Sequence, residues 1–380
     1  MKSFTSYTYS SICSSSPTSY FWMSTLLFLL SQNAINGIIQ CDGGAECVFE
    51  WAEYTTTSTT KPGTRVSHCS VESNGKMIIF GGNVAAGVER ANDIWEFDLN
   101  TKQWTDLSPS SSGTRPDKRN DASCIMWNDK MYIYGGASSD QISLSDVWEF
   151  NFNANSWTKI TTTGANPKRR HHTTVEYNGK MVTWGGWDVT SKNDAYELDL
   201  SSKICKSVAT GSKPSARHEH TAVRSNGKMI IFGGYSTSAT VNYNDAWELD
   251  LTTYIWKELS TTGSKPTTRR HHSTAVFNGK MLIFGGYSPP YHRDTWSLDL
   301  KTNKWEQLQT TGSPTPNDYP AARSNPSTIA INNQLVLFAG SVTGVHKNDV
   351  WVLGLGDLVP LPSIDMCNVI RSNSGFVYEC

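Results

Sequence analysis

The chain has 380 residues and a formal net charge of −1, with 33 Lys and Arg against 34 Asp and Glu. Proteins that bind nucleic acid through its phosphates carry a clustered basic excess, so nucleic acid is excluded as an expected partner. Only 18% of the residues are charged, whereas 29 are Gly and 14 are Trp, which favours short strands, tight turns and aromatic packing over helices.

The amino-terminal segment contains an apolar run over residues 21–30, preceded by Ser, Thr and Tyr with Lys2 as its one cation. The run is shorter than the roughly 20 residues of a membrane span but has the length of a signal-peptide core. We therefore expect residues 1–40 to be a signal peptide or leader, cleaved between Ala34 and Gln40, and the protein to be secreted or luminal. Alternatively Met23 is the start, or the leader is an uncleaved anchor. The lack of an Asn-x-Ser/Thr sequon argues against export, and the protein is cytoplasmic if the leader does not function.

The cysteines divide by position. Those at the two ends of the chain would come together if the ends meet, and we expect disulfides among them in one of three connectivities: Cys41, Cys47, Cys367 and Cys380. Cys69 and Cys124 stand where equivalent segments have Ser, Thr or Ala, which predicts small buried thiols.

A repeat of about 50 residues governs the middle of the chain. An Arg is followed sixteen positions later by a small doublet, six times over, as in Arg65 with Gly81-Gly82, Arg119 with Gly135-Gly136, Arg169 with Gly185-Gly186, Arg217 with Gly233-Gly234, Arg269 with Gly285-Gly286, and Arg323 with Ala339-Gly340. A period of this length indicates an array in which each repeat buries its apolar faces against its neighbours.

Each repeat predicts four strands, which we call a to d. Strand a follows the Arg, and a turn such as Asn278-Gly279 leads to an apolar strand b that ends in the doublet. Strand c carries Asp and, two residues on, an aromatic; the strand d aromatic comes nine residues later, except that the third repeat has Cys205. The sixth repeat lacks this residue, and Trp51 supplies it if residues 48–54 complete the last repeat.

Each repeat resembles the kelch repeat in the order of its motifs: Gly-Gly after an apolar strand, then Asn-Asp-x-Trp, then a second Trp. The resemblance covers residues 48 to about 357. The resemblance implies an all-β, six-bladed β-propeller of four-stranded blades, with strand a lining a central channel and an amino-terminal strand d closing the ring. The expected organisation is a leader over 1–40, the propeller over 41–357 and a tail over 358–380.

The spacing of the repeats predicts where binding occurs. The a–b and c–d turns have constant length, whereas the b–c and d–a loops vary and must emerge on one face because strands alternate in direction. Variable loops on a rigid scaffold are the usual place for binding. We expect a binding or scaffold module that recognises a protein or peptide ligand through this face.

Repeats three to five carry extra basic and aromatic residues near this face. We interpret them as a cationic, aromatic-rimmed groove for an extended peptide or acidic ligand, formed by Arg169, Arg170, His172, Trp187, Arg217, His220, Tyr235, Arg269, Arg270, His272 and Tyr287. The alternative is structural, since the recurring Arg can pair with the recurring Asp of strand c and repeated polar residues usually satisfy one another.

The sequence indicates no catalytic motif, and neither a cofactor nor a metal ion is expected. His171 and His172 are adjacent and should point to opposite faces, which argues against a shared ion. Two alternatives stay open: an intracellular adaptor, and a small exported carbohydrate-active enzyme, isomerase or oxidase-like, with its site at the channel mouth.

Overall fold

The computed structural model describes residues 48–84, 89–108, 114–208, 211–313, 318–356, 368–372 and 375–379. The predicted leader and the four terminal cysteines, Cys41, Cys47, Cys367 and Cys380, lie outside these ranges. All regular elements within them are strands. The described part of the chain accordingly contains no helix long and apolar enough to cross a membrane.

The strands follow the predicted repeats. β1 (Val48–Glu53) precedes them all. Repeat one has β2 (Cys69–Ser73), β3 (Lys76–Phe80), β4 (Asn83–Val84), β5 (Glu89–Arg90), β6 (Ile94–Asp98) and β7 (Gln103–Asp106). Repeat two has β8 (Ser123–Trp127), β9 (Lys130–Tyr134), β10 (Val147–Asn151) and β11 (Ser156–Ile160). Repeat three has β12 (Thr163–Gly164), β13 (Thr173–Tyr177), β14 (Lys180–Trp184), β15 (Trp187–Asp188), β16 (Thr190–Ser191), β17 (Ala195–Asp199) and β18 (Ile204–Val208).

Repeat four resembles the earlier repeats, whereas repeats five and six have longer strands. Repeat four has β19 (Thr221–Ser225), β20 (Lys228–Phe232), β21 (Tyr235–Ser236), β22 (Val241–Asn242), β23 (Ala246–Asp250) and β24 (Trp256–Glu258). Repeat five has β25 (Ser273–Phe277), β26 (Lys280–Tyr287), β27 (Tyr291–Asp299) and β28 (Lys304–Ser313). Repeat six has β29 (Ser327–Ile331), β30 (Gln334–Val342) and β31 (Val345–Gly354), and β32 (Asn368–Ser372) and β33 (Gly375–Glu379) form a separate hairpin.

Each of the first five repeats folds as an antiparallel meander in chain order, such as β2-β3-β6-β7. In repeat six, β31 pairs antiparallel with β1, which in turn runs parallel to β28 of repeat five. The predicted all-β, propeller-like arrangement of repeats is therefore confirmed. β12 adds a short parallel pairing at the edge of β18 that the sequence does not predict.

The first long strand of every repeat, here called the inner strand, packs against the inner strand of the next repeat. These contacts join β2 to β8, β8 to β13, β13 to β19, β19 to β25, β25 to β29 and β29 back to β2. Hydrophobic clusters form between consecutive sheets in the same way. The cluster between repeats six and one includes Phe338 and Trp104, whose ring centroids are 4.8 Å apart.

The turns between the first two strands of each repeat follow the sequence prediction. Asn74 and Gly75 have φ of 50° and 77°, as a two-residue type I′ hairpin requires. Both turn residues also have positive φ at Asn128-Asp129, Asn178-Gly179, Asn226-Gly227, Asn278-Gly279 and Asn332-Asn333. The turns fix the register of strand b, which places apolar residues such as Ile78 and Ile79 in the core.

Cys69 and Cys124 differ from the sequence expectation. They lie on neighbouring inner strands, with Cα atoms 5.9 Å apart, and form a disulfide, so the interpretation as small buried thiols was wrong. Sequence comparison between repeats could not show this pairing, because it depends on the lateral contact of β2 with β8. Cys205, at the aromatic position of the third repeat, is a buried free thiol, and burial raises its pKa to about 11.

Candidate binding site

The recurring arginines lie in the interior of the fold. The Arg269 side chain is 0% exposed, and its Nη1 and Nη2 atoms donate to Asp294 Oδ1 and Oδ2 at 2.7 and 2.8 Å. Nη1 also donates to the carbonyl oxygen of Gly285 at 3.0 Å. Arg169 and Arg217 are held in the same way by Asp194 and Asp245. These three arginines belong to the scaffold, which is the structural alternative that the sequence analysis allowed.

His172, His220 and His272 are also buried. Their Nε2 atoms lie 2.7–2.8 Å from hydroxyl oxygens on the preceding inner strand, at Ser123, Thr173 and Thr221 respectively. Burial lowers the pKa of all three histidines, because the imidazolium form would lose its hydration. They join neighbouring inner strands and do not line a surface groove.

The remaining predicted residues form two contact groups, one of Arg170 with Trp187 and one of Arg270 with Tyr235 and Tyr287. We call the five residues together the aromatic–arginine sector. The Arg170 guanidinium lies over the Trp187 ring at 4.3 Å, and the Arg270 guanidinium lies 4.3 Å from the Tyr235 centroid and 5.6 Å from that of Tyr287. Such contacts stabilise the cation and fix the direction of its N–H groups. Each residue of the sector is partly exposed.

Local backbone pairing positions the sector. The residue after the buried Arg forms an antiparallel bridge with the residue after the glycine doublet, as for Arg170 with Trp187 and Arg270 with Tyr287. The short hairpins β15–β16 and β21–β22 continue from this bridge into the b–c loops. The sector therefore lies on the face where the sequence places the variable loops.

A second set of residues lies beside the sector, two positions after each buried Arg. We call them the inner-turn residues: Ser67, Asp121, His171, Glu219, His271 and Asn325. All have φ between 52° and 60°, in the left-handed region. The backbone N–H of each of the last five donates to the carbonyl oxygen of its counterpart in the preceding repeat, at 2.8–3.1 Å. These bonds bring side chains of different repeats to one place.

Four inner-turn side chains form a titratable cluster. His271 Nε2 lies 3.0 Å from Glu219 Oε2, His171 Nε2 lies 4.0 Å from Glu219 Oε1, and His171 Nδ1 lies 3.1 Å from Asp121 Oδ1. Burial alone would raise the pKa of Glu219, but the nearby histidines hold it well below its usual value. Burial alone would lower the pKa of His271, but Glu219 outweighs it and raises this pKa.

Sequence reasoning missed this cluster. It judged His171 against its neighbour His172, whereas the partners of His171 are equivalent residues in other repeats. A polar residue two positions after every Arg is visible in the sequence and was the available signal. The distance between those six positions depends on how the repeats pack, which the spacing within a repeat does not give.

Fold and site together define a repeat-based β protein with polar and aromatic residues on its loop face. The family described as the KLHDC2/KLHL20/DRC7 Kelch-repeats domain matches residues 48–203 and 171–359. The chain belongs to this kelch-repeat family.

Similar curated proteins share part of their length with this chain. Human Kelch domain-containing protein 3 is 28% identical over 241 residues, covering 61% of this chain and 50% of that protein. Human Host cell factor 2 is 27% identical over 244 residues, covering 59% and 24%. Human Kelch domain-containing protein 10 is 30% identical over 122 residues, covering 30% and 27%. The chain thus spans about half, or less, of the length of these relatives.

Proposed function

We propose that this kelch-repeat chain is a protein-interaction module that binds an extended, acidic peptide across the aromatic–arginine sector. The observation that carries the proposal is Arg270. Its guanidinium lies 4.3 Å from the Tyr235 centroid and 5.6 Å from the Tyr287 centroid, and its side chain stays partly exposed. Its ion pair with Glu219 is long, at 3.5 Å. A partly exposed guanidinium that aromatic rings orient suits a ligand carboxylate.

Arg170 supports the same proposal from the third repeat. Its Nη1 donates to the side chain and backbone oxygens of Gln141 at 2.9 and 3.2 Å, and the residue is partly exposed. Trp187 and Tyr287 offer flat apolar surface at the two ends of the sector. Aromatic surface alternating with guanidinium groups fits a ligand that carries both acidic and apolar side chains.

The test is selection of binders from a displayed random peptide library, followed by affinity measurement on a selected peptide by fluorescence anisotropy. We expect acidic peptides to be selected, and Trp187→Ala with Tyr287→Ala to weaken binding at least about tenfold without lowering the melting temperature. Arg270→Ala should weaken binding similarly. Arg224→Ala is the matched control, because this arginine lies on β19 with its side chain 49% exposed.

Two outcomes would count against the proposal. Unchanged affinity in the Trp187→Ala, Tyr287→Ala variant would place binding elsewhere. A melting temperature lowered by several degrees in that variant would show that these rings hold the fold together rather than serve a ligand.

We also infer that the repeats form a closed, six-bladed ring, completed by β1 as the outer strand of the sixth blade. Two observations support closure: β1 pairs with β31, and the inner strand of repeat six contacts that of repeat one. A closed ring removes the unpaired strand edges of the first and last repeats. It also gives the sector a rigid support.

Export is a further proposal, supported by the apolar run over residues 21–30. Intact mass and amino-terminal sequencing of protein from its native source test it. A start near residues 35–41 with oxidised terminal cysteines supports export, and an intact leader with free thiols would instead favour a cytoplasmic protein.

A further inference from the structure

Three side chains from successive repeats converge on one point. His171, Glu219 and His271 each offer an atom, and the three atoms lie within 4.8 Å of one another. In a tetrahedral zinc site with bonds of about 2.0–2.1 Å, neighbouring ligand atoms are roughly 3.4 Å apart. The two Nε2 atoms approach different oxygens of Glu219: His271 Nε2 lies 3.0 Å from Oε2 and His171 Nε2 lies 4.0 Å from Oε1, on either side of this distance. One ion that contacts all three groups requires side-chain shifts from these positions.

The surroundings of His171 add a second, independent observation. Asp121 Oδ1 lies 3.1 Å from His171 Nδ1, within ion-pair distance, and the Asp121 side chain is 6% exposed. A proton held at Nδ1 leaves the lone pair of Nε2 facing Glu219. Carboxylates orient metal-binding histidines in this way, through the ring nitrogen that does not touch the ion.

Glu219 supplies the carboxylate of the cluster. Its side chain is 10% exposed, and its Oε2 accepts no hydrogen bond of good geometry, although His271 Nε2 and Arg270 Nη1 lie 3.0 and 3.5 Å away. The Nε2 atoms of three imidazoles face this buried carboxylate, since His218 Nε2 also lies 3.4 Å from Oε1. A cation placed between His171, Glu219 and His271 would stabilise the carboxylate. Arg270 supplies part of that charge from one side and would reduce the affinity for an ion.

We propose that His171, Glu219 and His271 form a binding site for one divalent transition-metal ion. Two imidazoles and one carboxylate are a ligand set that zinc and ferrous iron accept, with the remaining coordination positions left for water or a ligand. The two histidine side chains are about one-fifth exposed, so an ion can reach them from the binding face. The site goes beyond peptide binding by the sector, since it uses different side chains.

The experiment uses the untagged, disulfide-intact chain, stripped with a chelator and desalted. Co²⁺ is added while visible d–d absorption is recorded, and Zn²⁺ is then used to displace it. We expect one equivalent of Co²⁺ per chain, complete displacement by Zn²⁺, and a higher melting temperature with Zn²⁺. A near-ultraviolet thiolate charge-transfer band at one equivalent would assign the ion to cysteines and overturn the proposal.

The variants make the test specific. His171→Asn with His271→Asn should abolish stoichiometric binding, and these changes suit the left-handed backbone because repeat six already has Asn325 there. Asp121→Asn should weaken binding about 10- to 100-fold. His346→Ala is the control and should leave binding unchanged, since this histidine lies on β31 outside the cluster.

Glu219→Gln is the second variant if the double substitution unfolds the chain, and it should also abolish binding. No absorption change with the parent protein, or unchanged affinity in folded His171→Asn, His271→Asn protein, would overturn the proposal. Peptide affinity measured in chelator reports on the sector alone, so failure of the metal site and failure of peptide binding are distinguishable.

Discussion

Each of the six recurring arginines donates to both carboxylate oxygens of its strand c Asp and to the carbonyl oxygen of the first doublet residue. Arg323, for example, donates to both oxygens of Asp349 at 2.8 Å and to the carbonyl oxygen of Ala339, while Trp351 Nε1 donates to Asp349 at 2.7 Å. Burial alone would raise the pKa of Asp349, but the bonds and charge of Arg323 outweigh it and lower this pKa. The buried guanidinium is tolerated because a carboxylate and a carbonyl oxygen accept its hydrogen bonds. Loss of either charged partner should therefore lower the free energy of unfolding strongly.

Neighbouring arginines separate the scaffold from the proposed site. We expect Arg269→Met to lower the free energy of unfolding by about 3–5 kcal/mol, because Asp294 would lose its partner. Arg270→Met should cost about 1 kcal/mol or less, because this side chain is partly exposed and its pairing with Glu219 is long. Urea unfolding of the two variants measures both. Equal losses would contradict the assignment of Arg269 to the scaffold and Arg270 to the surface.

His68 gives the fold a pH dependence. Its Nε2 lies 2.7 Å from Ser327 Oγ, between repeats one and six, and burial lowers its pKa to about 3. Because the unfolded chain takes up a proton near pH 6.5, the stability from the neutral ring is full above pH 6.5 and is lost as the pH falls toward 3.

We therefore expect His68→Ala, which copies Ala122 of repeat two, to be less stable than the parent at pH 7.5. The difference in the free energy of unfolding should shrink by about 2 kcal/mol at pH 5, because folding of the parent at that pH requires His68 to lose its proton. Urea unfolding at the two pH values, with His346→Ala as control, measures it. A difference that stays constant would mean that His68 is not buried in its neutral form.

At the scale of the strand and its turn, the glycine doublet decides how strand b leaves the sheet. Gly234 has φ of 98°, and a Cβ there would lie 2.8 Å from the Cβ of His220 and 2.9 Å from the carbonyl oxygen of His218. Both the backbone angle and the space therefore require glycine. The first doublet position is less strict, since Ala339 occupies it in repeat six with φ of 60°.

Gly234→Ala and Gly279→Ala separate the two requirements. Gly279 also has positive φ, but a Cβ there would meet nothing within 4 Å, so its substitution should cost about 1–2 kcal/mol. Gly234→Ala adds steric overlap with the inner strand, and we expect at least twice that loss. Chemical denaturation compares the variants, and similar losses would show that the backbone angle alone matters.

The same strands show how far the sequence predicts the structure. Fixed spacings within a repeat, such as the sixteen residues from Arg169 to Gly185, predict strand order and turn type, because these depend on local geometry. The Cys69–Cys124 bond and the approach of His171 to His271 depend on lateral packing between repeats. The sector residues Arg170 and Arg270 were predicted, whereas their buried neighbours Arg169 and Arg269 could be separated from them only by their partners in three dimensions.

At the scale of the whole molecule, β1 pairs a strand that precedes all the repeats with repeats five and six. Trp51 is 1% exposed and packs edge-on against Phe284 at 5.3 Å, so a strand from one end of the repeat region fills the core between repeats five and six. β1 lies between β28 and β31, and its loss would leave each of these strands with one unpaired edge.

Truncation measures this contribution. A chain that starts at residue 41 should unfold cooperatively, whereas one that starts at residue 55 should lack a cooperative transition, because it has lost β1 together with Trp51. Trp51→Ala is the milder variant and should cost about 3–5 kcal/mol. Thermal unfolding followed by circular dichroism distinguishes them. Cooperative unfolding of the shorter chain at an unchanged temperature would contradict ring closure by β1.

In the inner-turn residues the backbone and the side chain have different roles. Their amide groups bond from one repeat to the next, while their side chains range from Ser67 to Glu219 and His271 without a change in backbone angle. The hydroxyl, carboxylate, amide and imidazole groups found there are interchangeable as far as the backbone is concerned. The six positions are therefore a natural starting point for engineering: a library restricted to them would sample new ligand specificities on an unaltered scaffold.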